Sequence, residues 1–235
     1  MKRTGKYNPR RLNRYVNQMG YAADVILSGP HEVIFGAPAV ASATNIMNAV
    51  VLATTNVVTT TFGIDNTDPV VSATSVEFPY GPGFGRCLQI VFAAANAGTV
   101  TIRGRDYLGQ PMTEAFTANG TTPVIGVKAF KYIDSVTSTL AGTLSVGTTD
   151  KLGLPYCTNN VLGEIADGAR VGTLGTFVSP VYTDPQTATT VDPRGTYDPT
   201  TTLNGTAVIS AIVTVNNVVN ANGNGGLHGI AHFTS

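Results

Sequence analysis

The chain has no tryptophan, only two cysteines and only three histidines among its 235 residues. Cys87 and Cys157 stand far apart with no CxxC pair, so the sequence offers neither a disulfide framework nor a zinc ribbon. Two buried free thiols are the simplest reading. His31, His228 and His232 leave few partners for a nucleophile–base pair, and no GxSxG elbow occurs. His228 and His232 have helical metal-ligand spacing, but they follow NGNGG and enclose Gly229. They read better as surface or interface histidines than as a zinc site. No run of eighteen apolar residues exists, so no membrane-spanning helix is expected. The first twenty residues are basic but lack an apolar stretch before a cleavage site, and are not read as a signal peptide.

Charge is the largest shortage. Asp, Glu, Lys and Arg make up 12% of the chain, about half the share of a typical soluble domain. The net charge is zero, so the usual protection against self-association is missing. Much of the surface is therefore expected to be covered by copies of the chain or by a partner. What charge there is, is segregated. Lys2, Arg3, Lys6, Arg10, Arg11 and Arg14 are six of the fourteen basic residues, and the first acidic residue is Asp24. The remainder holds eight basic against fourteen acidic residues, a basic arm on a mildly acidic body.

What is abundant is Thr, Ser, Asn, Gly and β-branched apolar residues, the composition of a mainly β protein. The arm carries the clearest helix signal, over residues 9–19. Asn8 suits the N-cap, Pro9 the first helical position and Gly20 the stop. Leu12, Tyr15, Val16 and Met19 form one apolar stripe. A helix this short is marginal alone, and Arg10 and Arg11 oppose its dipole, so it needs a docking surface. Six cations with Tyr7 and Tyr15 could meet nucleic-acid phosphates. The amphipathic stripe favours an acidic protein surface with an apolar groove instead.

Strand-like runs follow at 22–27, 32–35, 50–62, 69–78 and 86–94. Residues 44–53 could form a short helix, since Ile46, Val50 and Ala53 share a face. Val100 and Ile102 oppose Thr101 and Arg103, Phe130 and Tyr132 oppose Lys131, and Leu144 and Val146 alternate with Thr143 and Ser145. Residues 106–110 read as a turn, and Asn119–Gly120 as a hairpin signal. The expected fold is mainly β: an antiparallel β-sandwich or jelly-roll-like body with an N-terminal arm carrying a short helix. The expected organisation is an arm over 1–40, a body over 41–182, an extended Pro/Thr-rich excursion over 183–205 and a closing strand and tail over 206–235.

Catalytic and metal signals are weak. Gly81-Pro-Gly-Phe-Gly85 lacks the Lys-Ser/Thr of a phosphate loop and reads as a tight turn. Asp65 and Asp68 could bind calcium but suit turns. The NGT triplets at Asn119 and Asn204 match glycosylation sites but read as turns. No catalytic residue, metal or cofactor is expected.

The stretches GTVTIRGRDYLGQPMTEAF, NGTTPVIGVKAFKYIDSV and LSVGTTDKLGLPY, between Gly98 and Tyr156, resemble tailed-bacteriophage head decoration or cement proteins. VDPRGTYDPTTTLNGT resembles their closing segment. Together these cover under half of the chain, and the basic arm lies outside them. The resemblance implies a non-enzymatic virion protein made in the host cytoplasm and placed on the outer surface of the phage head. It would clamp subunits of the major capsid protein, commonly as a homotrimer. A tail, collar or head-fibre component is the alternative, and a host-glycan adhesin a more distant one. Lys2, Arg3, Lys6, Arg10, Arg11, Leu12, Arg14, Tyr15, Val16 and Met19 are the expected contacts with capsid or neighbouring subunit.

Overall fold

A computed structural model describes residues 30–52, 57–59, 71–72, 75–77, 83–95 and 97–215. Over these residues the chain is mainly β, without a helix. In chain order the strands begin with β1 (Pro30–Gly36), β2 (Ser42–Leu52), β3 (Val57–Thr59), β4 (Val71–Ser72) and β5 (Ser75–Glu77). Next come β6 (Arg86–Phe92), β7 (Thr99–Arg105), β8 (Pro111–Thr117), β9 (Val124–Phe130) and β10 (Tyr132–Ser138). The last six are β11 (Gly142–Gly153), β12 (Thr158–Ala166), β13 (Ala169–Arg170), β14 (Thr176–Val178), β15 (Thr196–Asp198) and β16 (Ile209–Val215). Every pairing between them is antiparallel.

The strands form three sheets. The first runs β14-β15-β11-β6-β9, with β2 also on β11. The second runs β4-β5-β10-β7-β8, with β3 also on β10. The third runs β1-β16-β12-β13. Alternation along the strands decides which side chains go inward. Val100 and Ile102 on β7 are fully buried, while Arg103 faces out. They meet Ile46, Leu88, Ile90, Phe92, Leu144 and Val146 of the first sheet, so the two six-stranded sheets share one core. A second core lies between the third sheet and the end of β11. It holds Val33, Phe35, Leu152, Leu154, Val161, Tyr197, Ile209, Ala211 and Val213. Phe35 stacks on Tyr197 there, with 6.4 Å between ring centroids. The twelve-residue β11 thus serves both cores, with Leu144 and Val146 in one and Leu152 in the other.

Three expectations need correction. Residues 44–53 are not a helix but lie mostly in β2. Val50 faces Leu144 while Met47 faces Val146, so β2 carries an extra residue at this point. Ala49 takes φ 49° there, and its N–H donates to Ser145 Oγ at 3.0 Å. Such a bulge breaks the period of two and leaves Ile46 and Val50 with a helix-like spacing. Secondly, Asn119–Thr122 makes a turn, closed by Thr122 N–H on the Asn119 carbonyl at 3.1 Å and by one isolated antiparallel bridge, but the strands on either side of it do not pair as a hairpin. It passes the chain from β8 in the second sheet to β9 in the first. Thirdly, Phe130, Lys131 and Tyr132 are not one strand. β9 ends at Phe130 and β10 starts at Tyr132, with the chain changing sheets at Lys131. The strand-like run at 32–35 is present as Pro30–Gly36, an edge strand of the third sheet. The helix expected over 9–19 lies outside the described residues.

Candidate functional site

Of the described residues, nineteen are Asp, Glu, Lys or Arg. Seven are buried: Arg86, Asp106, Glu114, Lys128, Glu164, Asp192 and Arg194. Buried charge is costly unless paired and hydrogen-bonded, so each needs an account. Most of them hold down the excursion over 183–205.

Asp106 opens the β7–β8 turn. Its Oδ1 accepts the N–H groups of Leu108 and Gln110, both at 2.8 Å. Its Oδ2 accepts Arg194 Nη1–H at 2.6 Å, with both side chains almost wholly buried. Arg194 also lies 4.9 Å from the Tyr107 ring centroid, a cation–π contact. Asp192 accepts the backbone N–H groups of Arg194 and Ala129 at 2.9 and 3.0 Å. Burial alone would lower the Arg194 pKa, but the carboxylates of Asp192 and Asp106 outweigh it and hold the guanidinium charged.

Lys128 donates from Nζ to three carbonyls, those of Thr113, Pro185 and Thr187, each at 2.7 Å. Two of these belong to the excursion. Thr113 and Ala115 N–H on β8 donate to the Pro185 and Ala188 carbonyls, and Asp192 N–H donates to the Val127 carbonyl on β9. The excursion therefore covers the outer margins of β8 and β9, which would otherwise be open sheet edges. Glu114 completes the seal, accepting Val127 N–H at 2.6 Å. Burial pushes its carboxyl up to about 7, against the N–H bond and the nearby Lys128. Its Oε2 is buried without a hydrogen-bond partner.

Glu164 fixes the far end of the same segment. It accepts the Tyr197 hydroxyl at 2.6 Å, the Thr200 N–H at 3.0 Å and the Thr201 N–H at 2.9 Å. Burial would raise its pKa, but these bonds hold it below the ordinary carboxylate value. Arg86 acts elsewhere, donating to the carbonyls of Thr149 and Ala39 at 2.7 and 2.8 Å. It joins β11 to the β1–β2 connection, and burial lowers its pKa to about 10. The excursion is thus fastened to the body along its length and does not reach away from it. Replacing Lys128 with Met should free residues 184–188 first, because three carbonyls, two of them in the excursion, lose a charged donor at once. Limited proteolysis followed by mass spectrometry is expected to show new cleavage there, with the β strands intact.

The ten arm residues singled out above, from Lys2 to Met19, lie outside the described residues, as do His228, His232, Asp65 and Asp68. His31 sits on β1 with its ring 6.2 Å from that of Tyr156. Cys87 and Cys157 are both free and buried. Gly83 to Gly85 lead into strand β6 and not into a helix, with Gly85 at φ 92° against the Phe130 carbonyl. No group of three metal-ligating side chains occurs among the described residues. An open hollow of about 400 Å³ is lined by Ala95, Ala97, Ala118, Asn119, Gly120 and two threonines, none of them an acid or base.

Sequence reasoning missed the buried ionic set. Its partners lie up to 88 residues apart, as Asp106 and Arg194 do. One signal was available: the excursion holds Asp184, Asp192, Arg194 and Asp198, a higher density of charge than the 12% of the whole chain.

What remains outside is a surface of few charges and scattered apolar side chains, including Ile34, Val40, Val51, Ile125, Val181 and Val208. No family model, curated protein or solved structure matches the chain.

Proposed function

We propose that this chain is a non-enzymatic virion structural protein that binds across subunits of a phage major capsid protein and stabilises the head from outside. The observation that carries the reading is where the charge goes. Seven of nineteen described charges are used inside, sealing sheet edges and fastening the excursion. That leaves a stiff β body whose surface suits burial against other subunits better than solvation. In this reading the two sheets sharing a core are a β-sandwich of jelly-roll kind, three copies associate, and the basic arm makes the contacts with neighbours. The protein then acts as a ligand of the mature shell, adding stability through the area it buries there.

Heads stripped of this protein should break at lower temperature or lower ionic strength than decorated heads, and adding it back should restore them. Unchanged resistance would overturn the proposal. Copy number per particle separates the shell from the tail: a number like that of the capsid protein is expected, whereas a few copies would place the chain in a tail, collar or fibre.

A further inference from the structure

Four asparagines precede glycine, Asn119, Asn204, Asn222 and Asn224, and the last two lie outside the described residues. Glycine has no side chain to shield its own backbone nitrogen, so that nitrogen can attack the amide carbon of a preceding asparagine. The reaction needs both partners unengaged. Asn119 and Asn204 are both exposed and both precede Gly-Thr, so neither access to water nor the residues that follow tell them apart. Hydrogen bonding does. Asn204 Oδ1 accepts the N–H groups of Thr206 and Ala207 at 2.8 and 2.7 Å, and the Thr206 hydroxyl at 2.8 Å. The attacking atom is engaged as well, since Gly205 N–H donates to the Pro38 carbonyl at 2.9 Å. At the other step the bonds fall on carbonyls: Thr122 N–H donates to Asn119 and Phe92 N–H to Gly120, at 3.1 and 3.3 Å. Neither the Asn119 amide nor the Gly120 N–H has a hydrogen-bond partner among the described residues. The fold also keeps glycine in this place. Gly120 has φ 58°, and a Cβ there would meet Ala95 Cα at 3.3 Å, which disfavours a shielding side chain. Both residues line the open hollow of about 400 Å³, which admits water to the step.

We infer that Asn119 is a deamidation site built into the β8–β9 crossing, and that Asn204 is held against the same reaction. The Gly120 nitrogen attacks Asn119 Cγ; a nitrogen–carbon bond forms and the bond from Cγ to Nδ2 breaks. The Gly120 proton leaves with the amide nitrogen as ammonia, and a succinimide ring closes. Water then adds to either ring carbonyl. Opening the ring at Cγ gives aspartate; opening it at the backbone carbonyl gives isoaspartate, whose main chain runs through the former side chain. Nothing is oxidised or reduced. Either product puts a negative charge on a turn that carries none, in a chain of zero net charge. Isoaspartate also lengthens the main chain between two anchors, the Ala118 N–H bond to the Gly98 carbonyl at 2.8 Å and the Phe92 N–H bond to Gly120. It would loosen the passage from the second sheet to the first. This chemistry belongs to the isolated chain and needs no capsid.

The test incubates the full chain in mildly alkaline buffer, folded and in urea, and follows both steps over time by peptide sequencing in a mass spectrometer. In the folded chain Asn119 is expected to convert at least about tenfold faster than Asn204, the effect of the additional hydrogen bonds that Asn204 must break. In urea the two rates should converge, because neither step keeps its bonds. Isoaspartate should accompany aspartate at Asn119, the mark of the succinimide route. Asn119→Gln should remove the reaction from that turn. Equal rates in the folded chain overturn the inference, as does an Asn119 that converts in urea but not when folded. A rate ratio that persists in urea also overturns it, since the cause would then be local sequence. Aspartate without isoaspartate would rule out the ring.

Discussion

Arg194→Met should lower the stability of the fold by about 3–5 kcal/mol, the usual cost of removing one partner from a buried ionic set. For a chain of this size that is a fall of roughly 6–20 °C in thermal midpoint. The loss comes less from the missing bonds than from what stays behind. Asp106 and Asp192 are 1% exposed each, and without the guanidinium both carboxyl groups stay buried with no countercharge. Tyr107 would also lose the cation that lies over its ring. Adding Asp106→Asn should recover part of the loss, since the amide needs no countercharge and can still accept the Leu108 and Gln110 N–H groups. Urea unfolding of wild type, single and double variants measures both effects. A single-variant loss below about 1 kcal/mol, the scale of an exposed pair, would show that the set does not hold the excursion.

The second large effect is on pH dependence. Glu114 is raised by burial from 4.5 to about 7 in the folded chain. A carboxyl raised in this way favours folding while protonated. Its contribution is full below pH 4.5 and is lost as pH rises through about 7. Two and a half units correspond to an upper limit of about 3 kcal/mol, and the Lys128 charge beside it reduces this. Asp192, also raised by burial, titrates in the same sense. Lys128, lowered by burial, acts in the opposite sense, and its change runs toward alkaline pH. Glu164, held low by its hydrogen bonds, loses its contribution only below 4.5. Acidification from pH 8 to 5.5 should therefore raise the thermal midpoint by several degrees. Glu114→Gln, which can still accept the Val127 N–H, should flatten most of that slope. An equal slope in the variant would assign the pH dependence elsewhere.

How far the fold could be read beforehand depended on distance along the chain. Val100 and Ile102 against Thr101 and Arg103 were legible because alternation is local, and so was the apolar β16. Residues 44–53 were misleading for an equally local reason, since one bulge at Ala49 mimics a helical phase. Asp167–Gly168, with φ of 49° and 79° between the paired Ala166 and Ala169, is a true two-residue hairpin turn. The turn at Asn119–Thr122 centres on Gly120 and Thr121, with only Gly120 at positive φ, and it joins two different sheets. A turn dipeptide specifies a reversal, and tertiary packing decides what is paired across it. The buried ionic set was the least legible, because nothing at Lys128 points to carbonyls 57 and 59 residues away.

The pairing of β1 with β16 sets a timetable for synthesis. Glu32 and Ser210 bond to each other across 178 residues. At about 5–20 residues per second, the ribosome takes roughly 10–40 s to deliver the partner after β1 has emerged. Val33 and Phe35 wait through that interval without their core, and closing so long a loop costs entropy before the pairing returns anything. The two sheets around β6, β7 and β11 can assemble meanwhile, since their strands are close in sequence. The third sheet is the last to close, and the β1 edge is where a chaperone or a second nascent chain would meet this protein first.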